Sequence, residues 1–256
     1  MRRGVAVMAA MALGLLIPLA RAGAYTSVSY SGSVTSFTYT SVAPNGQSTS
    51  VVLTPGTTVS LQGQTFYYDM AGWSATVAVP AFNPTLGTLE GITFDLTGFV
   101  GDDVTATNKS GKAGIVTATL SATLNLTMPN GTTIVSAPSA SESKSVAASG
   151  AGATVTWTPG DSSLESLLES SSTLDASSFA AFIGTGSVNL PIMSASTSKV
   201  VGPGNMSSRV STNAGANWTI TYDYQTWSTP ELGPFGLMGL SMLPVAGVAL
   251  RRRKRR

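Results

Sequence analysis

Between residues 25 and 226, apolar and polar side chains alternate one by one along much of the chain. The longest run is Val116–Met128. Val116, Ala118, Leu120, Ala122, Leu124, Leu126 and Met128 share one parity; Thr117, Thr119, Ser121, Thr123, Asn125 and Thr127 share the other. A period of two puts these sets on opposite faces of an extended strand, which predicts a sheet with one dry and one wet side. Pro129-Asn130-Gly131 then supplies a turn, with Asn-Gly suited to positive φ. The same rhythm runs through Trp73, Ala75, Val77 and Val79 up to Pro80, and through Ile92, Phe94 and Leu96 up to Gly98. It returns in Trp218, Ile220, Tyr222 and Tyr224. Near the start, Val28, Tyr30 and Val34 use even positions while Phe37 and Tyr39 use odd ones, a phase slip that predicts a bulge or a turn near Thr35-Ser36. Only Ser163–Phe182 departs from the pattern. Leu164, Leu167 and Leu168 are at helical spacing, and Asp175 is placed to cap a short turn through Phe179 and Phe182, so at most one or two brief helices are expected. Short strands punctuated by Gly, Pro and Asn make the fold expectation all-β: an antiparallel β-sandwich over residues 25–226.

The two ends read differently. Arg2 and Arg3 precede an apolar stretch from Val5 to Leu19, and small residues at Ala20-Arg21-Ala22 and Ala22-Gly23-Ala24 suit a signal peptidase. Residues 1–24 are therefore expected to be a secretory signal, cut after Ala24 in preference to Ala22. The competing reading is an uncleaved membrane anchor. At the other end, 19 uncharged residues from Leu232 to Leu250 are followed by Arg251, Arg252, Arg253, Lys254, Arg255 and Arg256. As a helix they would reach about 28 Å, close to the hydrocarbon thickness of a bilayer, and the basic cluster would stay cytoplasmic. Pro244 would kink such a helix without forbidding it.

Charge supports this division. Of 14 basic residues, only Lys109, Lys112, Lys144, Lys199 and Arg209 lie between the end segments, whereas eleven of the 12 acids lie between Tyr25 and Thr229. The middle is thus net −6, and no basic patch is available there for nucleic acid, which is excluded as a partner. Cys and His are absent, which removes disulfides, thiolate nucleophiles, a Ser-His-Asp triad and Cys/His zinc sites. Two-carboxylate hydrolysis and an all-oxygen calcium site survive that filter.

Thr229-Pro230-Glu231-Leu232, the apolar span and the Arg-rich end stand in the order of the PEP-CTERM sorting signal, and residues 227–256 resemble it. Pro230 and Glu231 match the motif; Leu232 stands where its third residue is usually Pro. The resemblance implies processing by an exosortase-like enzyme after export, with the membrane as a transient or permanent partner. The middle resembles the choice-of-anchor E domain, best over 80–224. The likeness rests on Phe82-Asn83-Pro84-Thr85-Leu86-Gly87-Thr88-Leu89, on the long Thr-alternating strand that follows, on Phe182-Ile183-Gly184-Thr185-Gly186-Ser187-Val188-Asn189-Leu190-Pro191 and on Ala214–Tyr224. It implies an exported, anchored ectodomain and supplies no active site.

Candidate chemistry inside the domain is sparse. Asp102-Asp103, with Asp95 or loop carbonyls, is a conceivable calcium site, though a solvated loop is the plainer reading. Glu142, Glu165 and Glu169 lie in polar stretches with no marked partner for hydrolysis. Trp73, Trp157, Trp218, Trp227, Tyr67 and Tyr68 are candidates for a sugar-stacking platform. Trp73 and Trp218, in phase with apolar neighbours, are expected in the core instead. Asn-x-Ser/Thr at Asn108, Asn125, Asn130, Asn205 and Asn217 is read as chance in a Thr-rich chain. No cofactor is expected. The sequence therefore points to a non-catalytic protein of the cell envelope or exopolysaccharide matrix, with a carbohydrate-binding module, calcium-assisted in one form, as the alternative.

Overall fold

A computed structural model describes residues 24–42, 46–54, 57–148, 153–158 and 164–227. Tyr25–Gln225 forms one compact unit. Ala22, Pro230, Glu231 and Arg251–Arg256, and with them both membrane-directed segments, lie outside the described residues; among those described, no helix is long and apolar enough to cross a membrane.

Two seven-stranded sheets make up the domain. The first contains β1 (Tyr25–Ser33), β4 (Thr58–Leu61), β5 (Gln64–Met70), β7 (Gly87–Asn108), β11 (Thr154–Trp157), β12 (Ser166–Thr173) and β14 (Met206–Thr226). The second contains β2 (Phe37–Val42), β3 (Ser48–Leu53), β6 (Ser74–Pro80), β8 (Gly114–Thr127), β9 (Thr133–Ser136), β10 (Ser139–Val146) and β13 (Ser187–Val201). The first runs β11-β7-β14-β5-β4, with β1 also on β14 and β12 also on β7; the second runs β10-β8-β13-β6-β2-β3, with β9 on β8. The long strands β7 and β14 each serve two partners in succession. On β14, Asn213–Gly215 pair with β5 and Asn217–Gln225 with β1. On β7, Thr93–Val100 pair with β12 and Val104–Thr107 with β11.

The core follows the predicted parity. Every even residue of Val116–Met128 is buried and belongs to one apolar cluster, which also takes in Ile92, Phe94 and Leu96 of β7 and Ala214, Trp218, Ile220 and Tyr222 of β14. The phase slip near Thr35-Ser36 is a turn between sheets: β1 ends at Ser33 in the first and β2 begins at Phe37 in the second. Phe37 and Trp73, 4.6 Å between centroids, close the core there.

Two expectations are corrected. The Leu164/Leu167/Leu168 stretch leads into strand β12, paired with β7, so the period of three to four residues is not helical. Leu164 enters the main core while Leu167 packs in a separate cluster, which explains the mixed spacing. One 3-10 turn follows at Ala176–Phe182, and Asp175 precedes it without a side-chain capping bond. Nor are Asp102 and Asp103 in a loop: both lie inside the 22-residue β7.

The outer wet face of the second sheet carries hydroxyl pairs across its strands: Thr117 with Ser143, Thr119 with Ser141 and Ser121 with Thr197, at 2.8, 2.9 and 2.7 Å. Such pairs add a few tenths of a kcal/mol each and leave a hydrated, hydroxyl-rich surface on which Lys199, opposite Thr119, is a charged side chain.

The outer face of the first sheet is not bare. The β4-β5 hairpin turns at Gln62-Gly63, both at positive φ (51° and 79°), and folds over it. Val59 and Phe66 of the hairpin bury Phe99 of β7, with Leu61, Tyr68 and Leu167 at the margin. Phe66 and Phe99 stack at 5.7 Å. The hairpin backbone crosses β14 at Gly215, where a Cβ would lie 2.3 Å from the Tyr67 carbonyl oxygen. Backbone cannot rotate away as a side chain can, so Gly215→Ala should lift the hairpin and cost about 1–3 kcal/mol as an overpacking change. The measurement is chemical denaturation of wild type and variant; equal midpoints would show that the hairpin does not rest on β14.

Candidate functional site

Beside that hairpin lies a groove of about 360 Å³ on the outer face of the first sheet. It is built from alternation. Interior positions of β7 and β14 are even, so Asp95 and Thr97 on β7, and Asn217 and Thr219 on β14, project from the opposite face. Register extends the floor in both directions. Ser31 and Ser33 of β1 sit opposite Thr219 and Asn217, and Glu169 of β12 sits opposite Thr97. Asp95 and Glu169 are thereby diagonal neighbours on adjacent strands, a relationship that spaces backbones by roughly 7–8 Å. Gln64, at the hairpin tip, forms the wall.

The wall is tied to the floor by one side chain. The Asn217 amide donates to the Thr65 carbonyl at 3.1 Å and to Gln64 Oε1 at 3.4 Å. Its other end, Oδ1, is buried with no hydrogen-bond partner. Asp95 is half-buried and Glu169 exposed. None of the five cations of the central region lines the groove.

The sequence candidates distribute around this site unevenly. Glu169 and Asp95, separately noted in the sequence, come together; Asn217, noted there only as a chance Asn-x-Thr match, and Gln64, which no local motif marks, join them. Asp102 does not: it is an even residue of β7, 2% exposed, and faces the interior between Val100 and Val104. A cation shared by Asp95 and Asp102 is therefore ruled out by their opposite faces. Neither carboxylate oxygen of Asp102 has a hydrogen-bond partner of good geometry. Burial raises its pKa to about 7; the nearby amides of Asp103 and Ser211 oppose that rise in part, and the charge of Asp103 adds to it. Asp103 itself is exposed.

The aromatic platform does not assemble. Trp73 and Trp157 are buried, Trp218 is largely buried but lines the groove, Tyr67 and Tyr68 are half-buried, and only Trp227 of the six is exposed. Trp157 is held from both sides: its Nε1 donates to Glu142 Oε2 at 2.6 Å, and Lys144 Nζ lies 4.8 Å from the ring centre. Glu142 thus has a structural partner in Trp157. Glu165 lies outside the groove. Among the Asn-x-Ser/Thr sites, Asn108 is buried, its amide donating to Lys112 and Ala147 carbonyls at 2.8 Å each. Ala24, the expected cleavage position, is exposed just before β1.

Away from the groove, Phe82 joins three distant segments. Phe82 N–H donates to the Phe182 carbonyl at 2.7 Å, Gly184 N–H to the Phe82 carbonyl at 2.9 Å, and the Phe82 ring packs on Tyr222 and Tyr224 at 5.8 and 5.2 Å.

No family model and no curated protein matches this chain. Among solved structures it is similar to the VP2 subviral particle of infectious bursal disease virus, at 14% identity and a TM-score of 0.19 over 86% of this chain and 48% of that one. The same virus's Gx strain structure matches at 13% identity and a TM-score of 0.18 over 92% and 50%. The chain spans about half the length of these capsid chains, and at such scores the likeness carries no argument.

Proposed function

We propose that the chain is an exported, surface-sorted structural or interaction protein of the cell envelope or exopolysaccharide matrix, without catalytic activity. The observation that carries this reading is where the sandwich begins and ends. β1 starts at Tyr25, directly after the signal-like segment, and β14 ends at Thr226, just before the Pro230-Glu231 motif. The two address-like segments thus flank one folded unit. The hydroxyl ladders suit a hydrated, polysaccharide-rich exterior. Signal peptidase and an exosortase-like enzyme are the processing partners that this reading requires.

The groove sets Asp95 and Glu169 among the hydroxyl- and amide-bearing side chains of Ser31, Ser33, Thr97, Thr219, Gln64 and Asn217, a lining suited to holding a polar ligand. A second reading, a carbohydrate-binding module, is favoured by the polar groove itself.

Intact mass and fractionation of the protein from its native cells test the first reading. The expected result is loss of residues 1–24 and of the segment after about Pro230, with the protein in the envelope or medium. Full-length protein in the cytosol would overturn it.

A further inference from the structure

We propose that the groove on the outer face of the first sheet binds a neutral saccharide by direct hydrogen bonding, with Asp95 and Glu169 as acceptors and the Asn217 and Gln64 amides beside them. The inference deepens the surface-protein reading and rests on it for access to extracellular polysaccharide. Three features of the groove select this ligand class.

The first is the donor and acceptor inventory. Ser31, Ser33, Thr97 and Thr219 offer hydroxyls that both give and accept, while the two carboxylates only accept. A sugar presents a dense array of hydroxyls of the first kind, and hydroxyl-to-carboxylate bonds are about twice as strong as neutral ones. The second is charge. Two carboxylates with no lysine or arginine beside them repel uronates, sulfates and phosphates, so acidic polymers are selected against. The outward-facing side chains of the floor are also polar, which offers little to a lipid or an apolar cofactor. The third is Asn217, a lining residue whose Oδ1 is an acceptor without a donor. An unpaired buried acceptor is costly, and a turn of this side chain on binding would bring it a ligand hydroxyl as donor. At about 360 Å³ the volume falls within the usual range for small-ligand sites, roughly 300–1,000 Å³.

The test uses the full chain in detergent, applied with excess EDTA to immobilised neutral glycans (glucans, xylans, mannans) and to alginate and polygalacturonate. Wild type should be retained on at least one neutral glycan and not on the uronates. Asp95→Asn and Glu169→Gln should each weaken retention by about tenfold, the effect of losing one charge-assisted hydrogen bond. Asp103→Asn, an exposed acid on the same strand, should leave retention unchanged. Unaltered melting of each variant shows that the groove, not the fold, is what changed. No retention of wild type, equal retention on uronates, or retention that survives both substitutions would overturn the proposal. So would binding that appears only when calcium replaces EDTA, since a cation would then be making the contacts. Cell fractionation distinguishes the two failures: surface protein that binds no glycan removes this inference alone, and cytosolic protein removes the reading beneath it.

Discussion

Replacing Trp73 with alanine is expected to destabilise the domain by about 3–5 kcal/mol, the usual cost of truncating a buried Trp. For a domain of this size that corresponds to a fall in melting temperature on the order of 10 °C, at roughly 2–4 °C per kcal/mol. The residue is 1% exposed and stands at the entrance to β6, in the second sheet. Its indole Nε1 crosses to the first sheet and donates to the Ala214 carbonyl at 3.1 Å. Its own backbone is held by Ser194, whose N–H donates to the Trp73 carbonyl at 2.8 Å and whose Oγ accepts from the Trp73 N–H at 3.2 Å. One side chain therefore fills the core against Phe37 and links the two layers. Trp73→Phe separates these roles. It keeps most of the apolar area but removes the Nε1 donor to the Ala214 carbonyl, at about 1 kcal/mol. Thermal and urea denaturation of the three proteins should rank them wild type, Phe, Ala. Coincident curves would mean that the layers are joined elsewhere.

Asp102→Asn should stabilise the protein at pH 8 and have little effect at pH 4. An unfolded aspartate titrates near pH 3.9, whereas burial holds the folded carboxyl to about 7. Below about pH 4 both states carry the proton and the group is neutral to stability. Between about 4 and 7 the unfolded chain releases a proton that the folded chain retains, so stability falls as pH rises, by at most about 1.4 kcal/mol per pH unit. Above 7 both states are ionised and the loss is complete. Asparagine does not titrate, so the advantage of the variant should grow through that window and level off beyond it. The full window corresponds to about 4 kcal/mol, so a difference on the order of 10 °C at pH 8 is expected from 2–4 °C per kcal/mol. Asp103→Asn, one residue away and exposed, serves as the control. A pH-independent difference between wild type and Asp102→Asn would show that Asp102 titrates alike in the folded and unfolded chain, and that burial does not raise its pKa.

Asp102 also shows where sequence reading stops. The even positions of β7 from Ile92 to Ala106 contain it in phase with the core, so periodicity alone places it inside. Ordinary expectation for an Asp-Asp pair places it in solvent. Periodicity wins because β7 runs unbroken through both residues. Where alternation was long, as in Val116–Met128 and Trp218–Tyr224, strand and buried face were legible without tertiary knowledge. β12 was not, because its leucines divide between the main core and the small cluster under the hairpin, and two destinations blur one period. The groove was least legible of all. Asp95, Glu169 and Asn217 are neighbours only through the pairing of β12 with β7 and the place of β14 beside β7, and no local motif encodes register over such distances. The glycine at 215 and the Asn217 amide gain meaning only once the hairpin is seen lying across the sheet.

The pairing of β1 with β14 has a consequence in time. Tyr25 lies opposite Gln225, and β14 stands inside the first sheet, between β7 and the strands β1 and β5. A chain made or delivered from its N-terminus presents β1 first and waits about two hundred residues for the partner that completes it. Until β14 arrives, β7 lacks its inner neighbour and both β1 and β5 have an open edge. The second sheet has its last strand, β13, earlier. The domain is therefore committed to a late closure, in which an emerging chain stays open and threadable almost to its end and the final strand locks the first in place.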